Sequence, residues 1–508
     1  MPVRSVRILH RTGQFPAVSS SAFSRAEKRR ALSTPARTHL AVVSPYWTFW
    51  EASAGGSTLR DDRRGLLTDA VEALAGAACA PVNVVCESLL DSPESASAVA
   101  DGVSVDLDVI LVVITMAAPS THGLGFLDRF GDVPVVVWSL QRSRNIRAGF
   151  DASDITSAGT AVGTPQLTNM LARSGRPHEI VVGALGDEAC HGRVARAVHV
   201  AATASALRRA RIARVGRPPA GYACVEVDAE SLRGATGIDL VDVDPADLRR
   251  RWCAVDGAST DRLQREVEAT AEIAVAWDTA GRRSLAGAAA LEALDDDLGV
   301  AGGAMNCHVP ELRFGTEVGV TPCYGLGRET SRGIPWTCAG DVVTAVAMLV
   351  GRRLGGAALY HEMEVIDFDT DEVALANSGE HDLAWCPPGR RPRLQPNPWY
   401  TDDPLTGACM WFELPPGPAS LIGFTPHSEE PSGYRFIVAE GHITERSLPR
   451  SPTTGGVFRF AGEAGVAESW RAWAAAGVNH HSSCSPGHLA DDVAEVARYL
   501  GVGCVRVS

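Results

Sequence analysis

The 508-residue chain reads as an α/β protein. The order is two doubly wound Rossmann-like α/β domains followed by a C-terminal antiparallel β-barrel-like domain. Three observations predict this. Short runs rich in Val and Ile alternate with helix-length segments from residue 38 onward, the pattern of parallel strands buried on both faces. The same alternation resumes after a long helical stretch near residue 190. From about residue 355 the helices give way to short strands separated by Pro and Gly turns, the spacing of an antiparallel barrel or sandwich. Two to three domains suit this length. The expected boundaries are 1–37 (a disordered or mis-assigned N-terminal extension), 38–185, 186–350 and 351–508.

Taken in order, "THLAVVSP" reads as a buried strand, "RRGLLTDAVEALAGAA" as a helix and "PVNVVCESLL" as a second strand. "SASAVADGV" is helical, and "LDVILVVITM" and "PVVVWSLQ" are strands. No G-x-G-x-x-G follows the first strand, so nothing points to a dinucleotide. The helical stretch "HGRVARAVHVAATASALRRARIARVGRPP" introduces the second domain, with "GYACVEVD" and "GIDLVDVD" after it. Helices are expected around "TDRLQREVEATAEIAVAW" and "SLAGAAALEALDDDLG". The turn "IPWTCAGD" then hands a strand over to the apolar helix "VVTAVAMLV". Beyond it come "AALYHEMEVIDFD", "DEVALANSG", "GACMWFEL", "ASLIGFTP", "YRFIVAEGHI" and "GVFRF" as strands, and "HLADDVAEVARYLGVGCVRV" as a closing helix and strand.

Composition narrows the function classes. Hydrophobic residues at 45% with 21% charged residues are those of a globular protein. A net charge of −13 argues against nucleic acid or an anionic membrane as the main partner. No apolar run reaches the ~20 residues of a membrane span. The 12 Cys form no C-x-x-C pair and read as free thiols in a reducing compartment, so a cytoplasmic location is expected. The basic first 37 residues, with Glu27 their only acid, fit a transit peptide, a disordered tail or an over-long start assignment.

Several side chains could carry chemistry. Strand alternation puts Glu362 and Glu364 on one face of "LYHEMEVIDFD" and His361 and Met363 on the other. Two like charges so placed repel unless a cation lies beside them, and a metal ion is one solution; a solvated sheet edge is the other. His381 returns toward the carboxylates one strand later, and His480 and His481 form an adjacent pair in a Gly-flanked loop. Carboxylate and imidazole donors without thiolate suit Mn²⁺ or a related divalent cation. Gln141 ends a parallel strand, where open α/β sheets place ligands. With Trp336 in the site-like turn and His480, it makes up the candidate substrate contacts.

The stretches "MNCHVPELRFGTEVGVTPCYGLGRETSRGIPWTCAGDVVTAVAMLV", "LYHEMEVIDFD", "NSGEHDLAW" and "GVNHHSS" occur in an order that resembles the L-fucose isomerase / L-arabinose isomerase superfamily over most of residues 38–508. That resemblance implies a metal-dependent aldose–ketose isomerase of carbohydrate metabolism, an intramolecular oxidoreductase working through an ene-diolate on an open-chain sugar. It implies Mn²⁺, a homo-oligomer and a small sugar or sugar-derivative substrate, with no nucleic acid or membrane partner. By motif position Glu364, His381 and His481 match the family's metal ligands, and Glu364 is also a candidate catalytic residue. The family's combined ligand and acid–base group is the Glu of the turn before the apolar helix. The family's Glu-Gly-Asp or Glu-Ser-Asp turn stands here as Ala339-Gly340-Asp341, one acid short. Asp341 fits the start of the following helix, where the dipole stabilises a carboxylate. Glu362 is then the leading substitute for the missing acid, with Glu329 behind it. The alternatives are another metal-assisted reaction on the same scaffold (an epimerase, lyase or decarboxylase acting on a sugar or sugar acid) or a non-catalytic sugar-binding paralogue.

Overall fold

The computed structural model describes residues 37–507 apart from 53–57, 152–153, 156–158, 314–317, 401–405 and 449–453. Nearly all of the N-terminal extension expected over 1–37 therefore lies outside the described residues. The chain divides into two compact units, Met1–Ala206 and Leu207–Ser508.

In the first unit, strands β1 (Thr38–Pro45), β2 (Val82–Leu90), β3 (Val109–Ile114), β4 (Val135–Gln141) and β5 (His178–Ala184) form one sheet in the order β2-β1-β3-β4-β5. Every pairing is parallel. All six residues of β3 are buried, as its unbroken Val/Ile run requires of a central strand covered on both faces. Helices such as Leu59–Ala77 and Pro93–Asp101 connect the strands.

The second unit opens with another parallel sheet. Strands β6 (Arg211–Val215), β7 (Asp239–Val243), β9 (Gly302–Met305) and β10 (Trp336–Thr337) run in the order β10-β9-β6-β7. Strand β6 corrects the sequence reading, which carried the preceding helix through "RIARV". Arg214 sits inside this strand with its guanidinium on Asp242 at 2.7 Å and only 2% of its surface exposed. A buried, ion-paired arginine thus occupies a position where sequence patterning looks for an apolar one. A small sheet of β8 (Glu272–Ile273), β13 (Arg393–Pro396) and β14 (Ala408–Trp411) flanks it.

The last part is a closed barrel. Strands β11 (Leu359–Asp367), β12 (Glu372–Ala376), β15 (Gly417–Pro426), β16 (Tyr434–Ile443), β17 (Thr454–Phe460) and β18 (His481–Pro486) pair in the order β15-β18-β11-β12-β17-β16. Pairing of β16 with β15 closes the ring, and all six contacts are antiparallel. Closure removes the edge strands that an open sheet would expose. Strand β19 (Gly503–Val507) adds in parallel to the first half of β16. Leu359, Leu375, Leu421, Ile437 and Phe458 belong to the barrel core. The two parallel sheets followed by an antiparallel barrel are the fold class expected from the sequence.

One helix braces the barrel from outside. Val342–Gly355 is apolar on nearly every side, with ten of its residues buried, and it packs on β18 and β15. A Cβ at Gly351 would stand 2.1 Å from Ser485 Oγ, so a side chain there is excluded by the close approach of helix and strand.

Candidate metal site

The site is assembled from β11, β18 and the turn that starts this helix. Antiparallel register sets Glu362 opposite His481 and Tyr360 opposite Ser483, and directly opposed residues share a face. Tyr360 packs with Met348 of the helix and with Cys338. Glu362 and His481 therefore point to the barrel face that the helix covers, while Leu359 turns into the core.

The turn aims a third group at the same place. Ala339 and Gly340 both have positive φ, 54° and 70°, and Asp341 N–H donates to Cys338 O at 3.1 Å. Two left-handed central residues with that closing bond make a type I′ turn. It delivers Asp341 as the helix N-cap, accepting from Thr344 N–H at 2.9 Å and Thr344 Oγ1 at 2.7 Å. Its Oδ2 also lies 2.8 Å from His481 Nδ1. The helix-start role expected for Asp341 is thus met, and the same carboxylate orients a histidine.

Around Glu362 the two histidines converge. His481 Nε2 is 3.0 Å from Glu362 Oε1, and His480 Nε2 is 4.0 Å from the same atom. The two imidazole rings lie 3.7 Å apart by centroid. Burial alone would push the His481 pKa down, but hydrogen bonds to Asp341 and Glu362 outweigh it and raise the value to about 9. Glu362 is held low, first by its hydrogen bond to His481. Burial, helped by the charge on His481, holds His480 below the usual histidine range. Near neutral pH the metal-free cluster is therefore a carboxylate, a neutral imidazole and one imidazolium.

These three residues fit a cation. Glu362, His480 and His481 each offer one donor atom, and all lie within 4.8 Å of one another. Separations of 3–4 Å are those of neighbouring ligands on an ion with bonds of roughly 2.1 Å. Two imidazole nitrogens and a carboxylate oxygen suit a divalent first-row metal. Asp341 behind His481 stands where an outer carboxylate usually orients a metal-binding histidine.

The structure redistributes the residues expected from the sequence. The β11–β12 register shifts between Met363 and Val365, so Glu364 is an extra residue in a bulge and the simple alternation fails there. Glu364 is exposed while Glu362 faces His481. It stays close enough to Glu362 for that neighbour's charge, after burial, to help raise its pKa. Glu364 also borders a 440 Å³ cavity lined by Val365, Ala374, Ala376, Trp399 and Arg446. Ala376 stands opposite Glu362, which puts the cavity on the same face.

His381 is fully buried with its ring edge-on to Phe412 at 5.1 Å, outside the three-residue group. Beside it, Glu380 is fully enclosed, and neither carboxyl oxygen makes a well-formed hydrogen bond among the described residues. Burial raises its pKa to about 7. Trp336 is fully buried and donates its indole N–H to Asp295 at 3.1 Å, so it serves the core of the second unit and not a ligand surface. Glu329 is likewise enclosed, with its carboxylate held by Arg328 and Arg332. Gln141 is exposed at the end of β4 in the first unit.

No family model matches this chain. Comparison with characterised proteins gives more. The chain is 22% identical over 362 residues to the sulfoquinovose isomerase of Priestia megaterium, covering 68% of this chain and 74% of that one. It is 24% identical over 367 residues to that of Alkalicoccus urumqiensis, covering 70% and 77%. It is 28% identical over 354 residues to the L-arabinose isomerase of Clavibacter sepedonicus, covering 66% and 68%. The chain is a distant homologue of sugar isomerases. The arabinose-isomerase side of the resemblance stands on this match. Among the described residues no helix is long and apolar enough to cross a membrane.

Proposed function

We propose that the protein is a divalent-metal-dependent aldose–ketose isomerase acting on an open-chain sugar or sugar derivative. The observation that carries this reading is the convergence of Glu362, His480 and His481 on one point, with Asp341 behind His481, in a chain homologous to sugar isomerases. Those three residues would hold the ion, Mn²⁺ or a close relative. When bound, it supplies positive charge where the carbonyl side of the sugar becomes negative. Asp341 keeps the His481 ring oriented. Glu364, exposed at the cavity mouth with a raised pKa, is placed to take a proton from one carbon and return it to the next. The cavity is in the size range of small-molecule sites.

The Ala339 turn supports a second reading, a metal-assisted epimerisation, retro-aldol cleavage or decarboxylation of a sugar or sugar acid that needs one base. Mn²⁺ titration followed by a substrate panel tests both. The panel includes L-arabinose and sulfoquinovose, the sugars in the relatives' names, with neutral, phosphorylated and acidic sugars beside them. Aldose–ketose turnover that needs the ion and falls at least 100-fold in Glu364→Gln supports the isomerase. Turnover of sugar acids alone moves the assignment to the second reading, and absence of Mn²⁺ binding refutes both.

A further inference from the structure

Both histidines show Nε2 to Glu362 and turn Nδ1 away from it. For His481 the group behind Nδ1 is Asp341 at 2.8 Å. For His480 it is the sulfur of Cys224 at 3.5 Å. Cys224 lies in the single 3-10 turn Ala223–Val225, and the ring of Tyr222, one residue before that turn, stands edge-on to His480 with centroids 5.3 Å apart. This short segment therefore backs His480 as the helix N-cap backs His481.

A neutral imidazole carries its proton on one nitrogen only. If His480 is to offer Nε2 to an ion, the proton must sit on Nδ1 and benefits from an acceptor there. Among the described residues, the Cys224 sulfur lies at hydrogen-bond distance from that nitrogen and can accept its proton. Glu362 is too far from His480 Nε2, at 4.0 Å, to fix the opposite tautomer by a hydrogen bond.

We propose that Cys224 is a positioning residue whose sulfur accepts the Nδ1–H of His480 and so holds the tautomer that presents Nε2 to a divalent cation. This rests on the proposed metal site. A thiol sulfur accepts more weakly than a carboxylate, so His480 is held less firmly than His481 and is the adjustable ligand of the pair.

The test uses the full chain as wild type, Cys224→Ala and Cys224→Ser. Mn²⁺ affinity is measured by calorimetry, and the histidine tautomers of the metal-free protein by side-chain ¹⁵N NMR. Cys224→Ala is expected to weaken Mn²⁺ binding about tenfold and to move the His480 signals away from the Nδ1–H pattern. Cys224→Ser, whose hydroxyl can accept the same proton, is expected to stay within about threefold of wild type and to keep that pattern. An unchanged Mn²⁺ affinity in Cys224→Ala, or a His480 tautomer indifferent to the substitution, overturns the proposal. Wild-type protein that fails to bind Mn²⁺ refutes the metal reading instead, and the tautomer measurement still decides whether Cys224 sets the His480 proton.

Discussion

In the proposed metal site a proton and the ion would compete for His481 Nε2, and the size of that competition comes from the site itself. With His481 raised to about 9, imidazolium outnumbers imidazole about 100 to 1 at pH 7, since each pKa unit is tenfold or ~1.4 kcal/mol. Glu362 is already ionised and His480 already neutral there, because both are shifted down. Binding should therefore release about one proton per ion. Apparent Mn²⁺ affinity should rise close to tenfold per pH unit between pH 7 and 8.5, then level off near 9. Calorimetry in two buffers of different ionisation enthalpy measures both the slope and the proton count. Asp341→Asn sharpens the test, because loss of that negative charge lowers the His481 pKa and should flatten the slope over the same range. An affinity that varies less than threefold from pH 7 to 8.5, or binding without proton release, would refute the reasoning.

Other consequences can be checked separately. Glu362→Gln should lose Mn²⁺ binding by at least 100-fold while Glu364→Gln binds within a few fold of wild type, the reverse of what motif position alone suggests; titration of both variants decides it. The metal-free fold should be most stable between about pH 4.5, the ordinary value for Glu362, and pH 6.5, the ordinary value for His481. It should then lose on the order of 2 kcal/mol as pH rises through about 9, because a raised histidine stabilises below its unfolded pKa and the partly exposed Glu362 is screened by water; urea unfolding at pH 6 and 9.5 measures this. On the acid side the depressed Glu362 reverses the sign, and stability falls as pH drops through its folded value. Gly351→Val should cost about 2–3 kcal/mol through overpacking against Ser485 and should weaken Mn²⁺ binding by moving the helix that carries Asp341. A variant as stable as wild type would show that the helix can shift freely.

The fold was legible because burial leaves a one-dimensional trace. The Val/Ile runs of β1, β3 and β4 are buried on both faces, so period and length identify them without partners. Strand β6 escaped because Arg214 solves its burial with Asp242, a residue on a neighbouring strand. The site was legible as residue types and less so as geometry. Glu362, His480 and His481 could all be named from the chain, yet which carboxylate faces the histidines depends on the bulge at Glu364. That bulge is a property of the β11–β12 pairing and not of the "HEMEV" alternation. Asp341 was recognisable as a helix start, while its bond to His481 depends on a register set about 140 residues away. Cys224 carries no sequence signal at all, because a lone cysteine gains meaning only when 222–224 folds against 480.

The Ala339 turn joins these points. A non-glycine residue at φ 54° is strained by roughly 1–2 kcal/mol, and a glycine there would pay back roughly 0.5–1 of this in unfolded-state entropy. The residue is 8% exposed, and its methyl group carries no acid–base chemistry. The turn does have a geometric task, since its two left-handed residues bring Asp341 to the helix start and onto His481 Nδ1. If that is its whole task, Ala339→Gly should raise stability by up to about 1 kcal/mol in urea unfolding and leave Mn²⁺ affinity within twofold. A tenfold loss of affinity would show that the methyl group itself supports the site. The backbone of the turn then orients the histidine whether or not residue 339 bears an acid. On the proposed reading, the donors for an ion are Glu362, His480 and His481, and residue 339 contributes only the backbone geometry that aims Asp341.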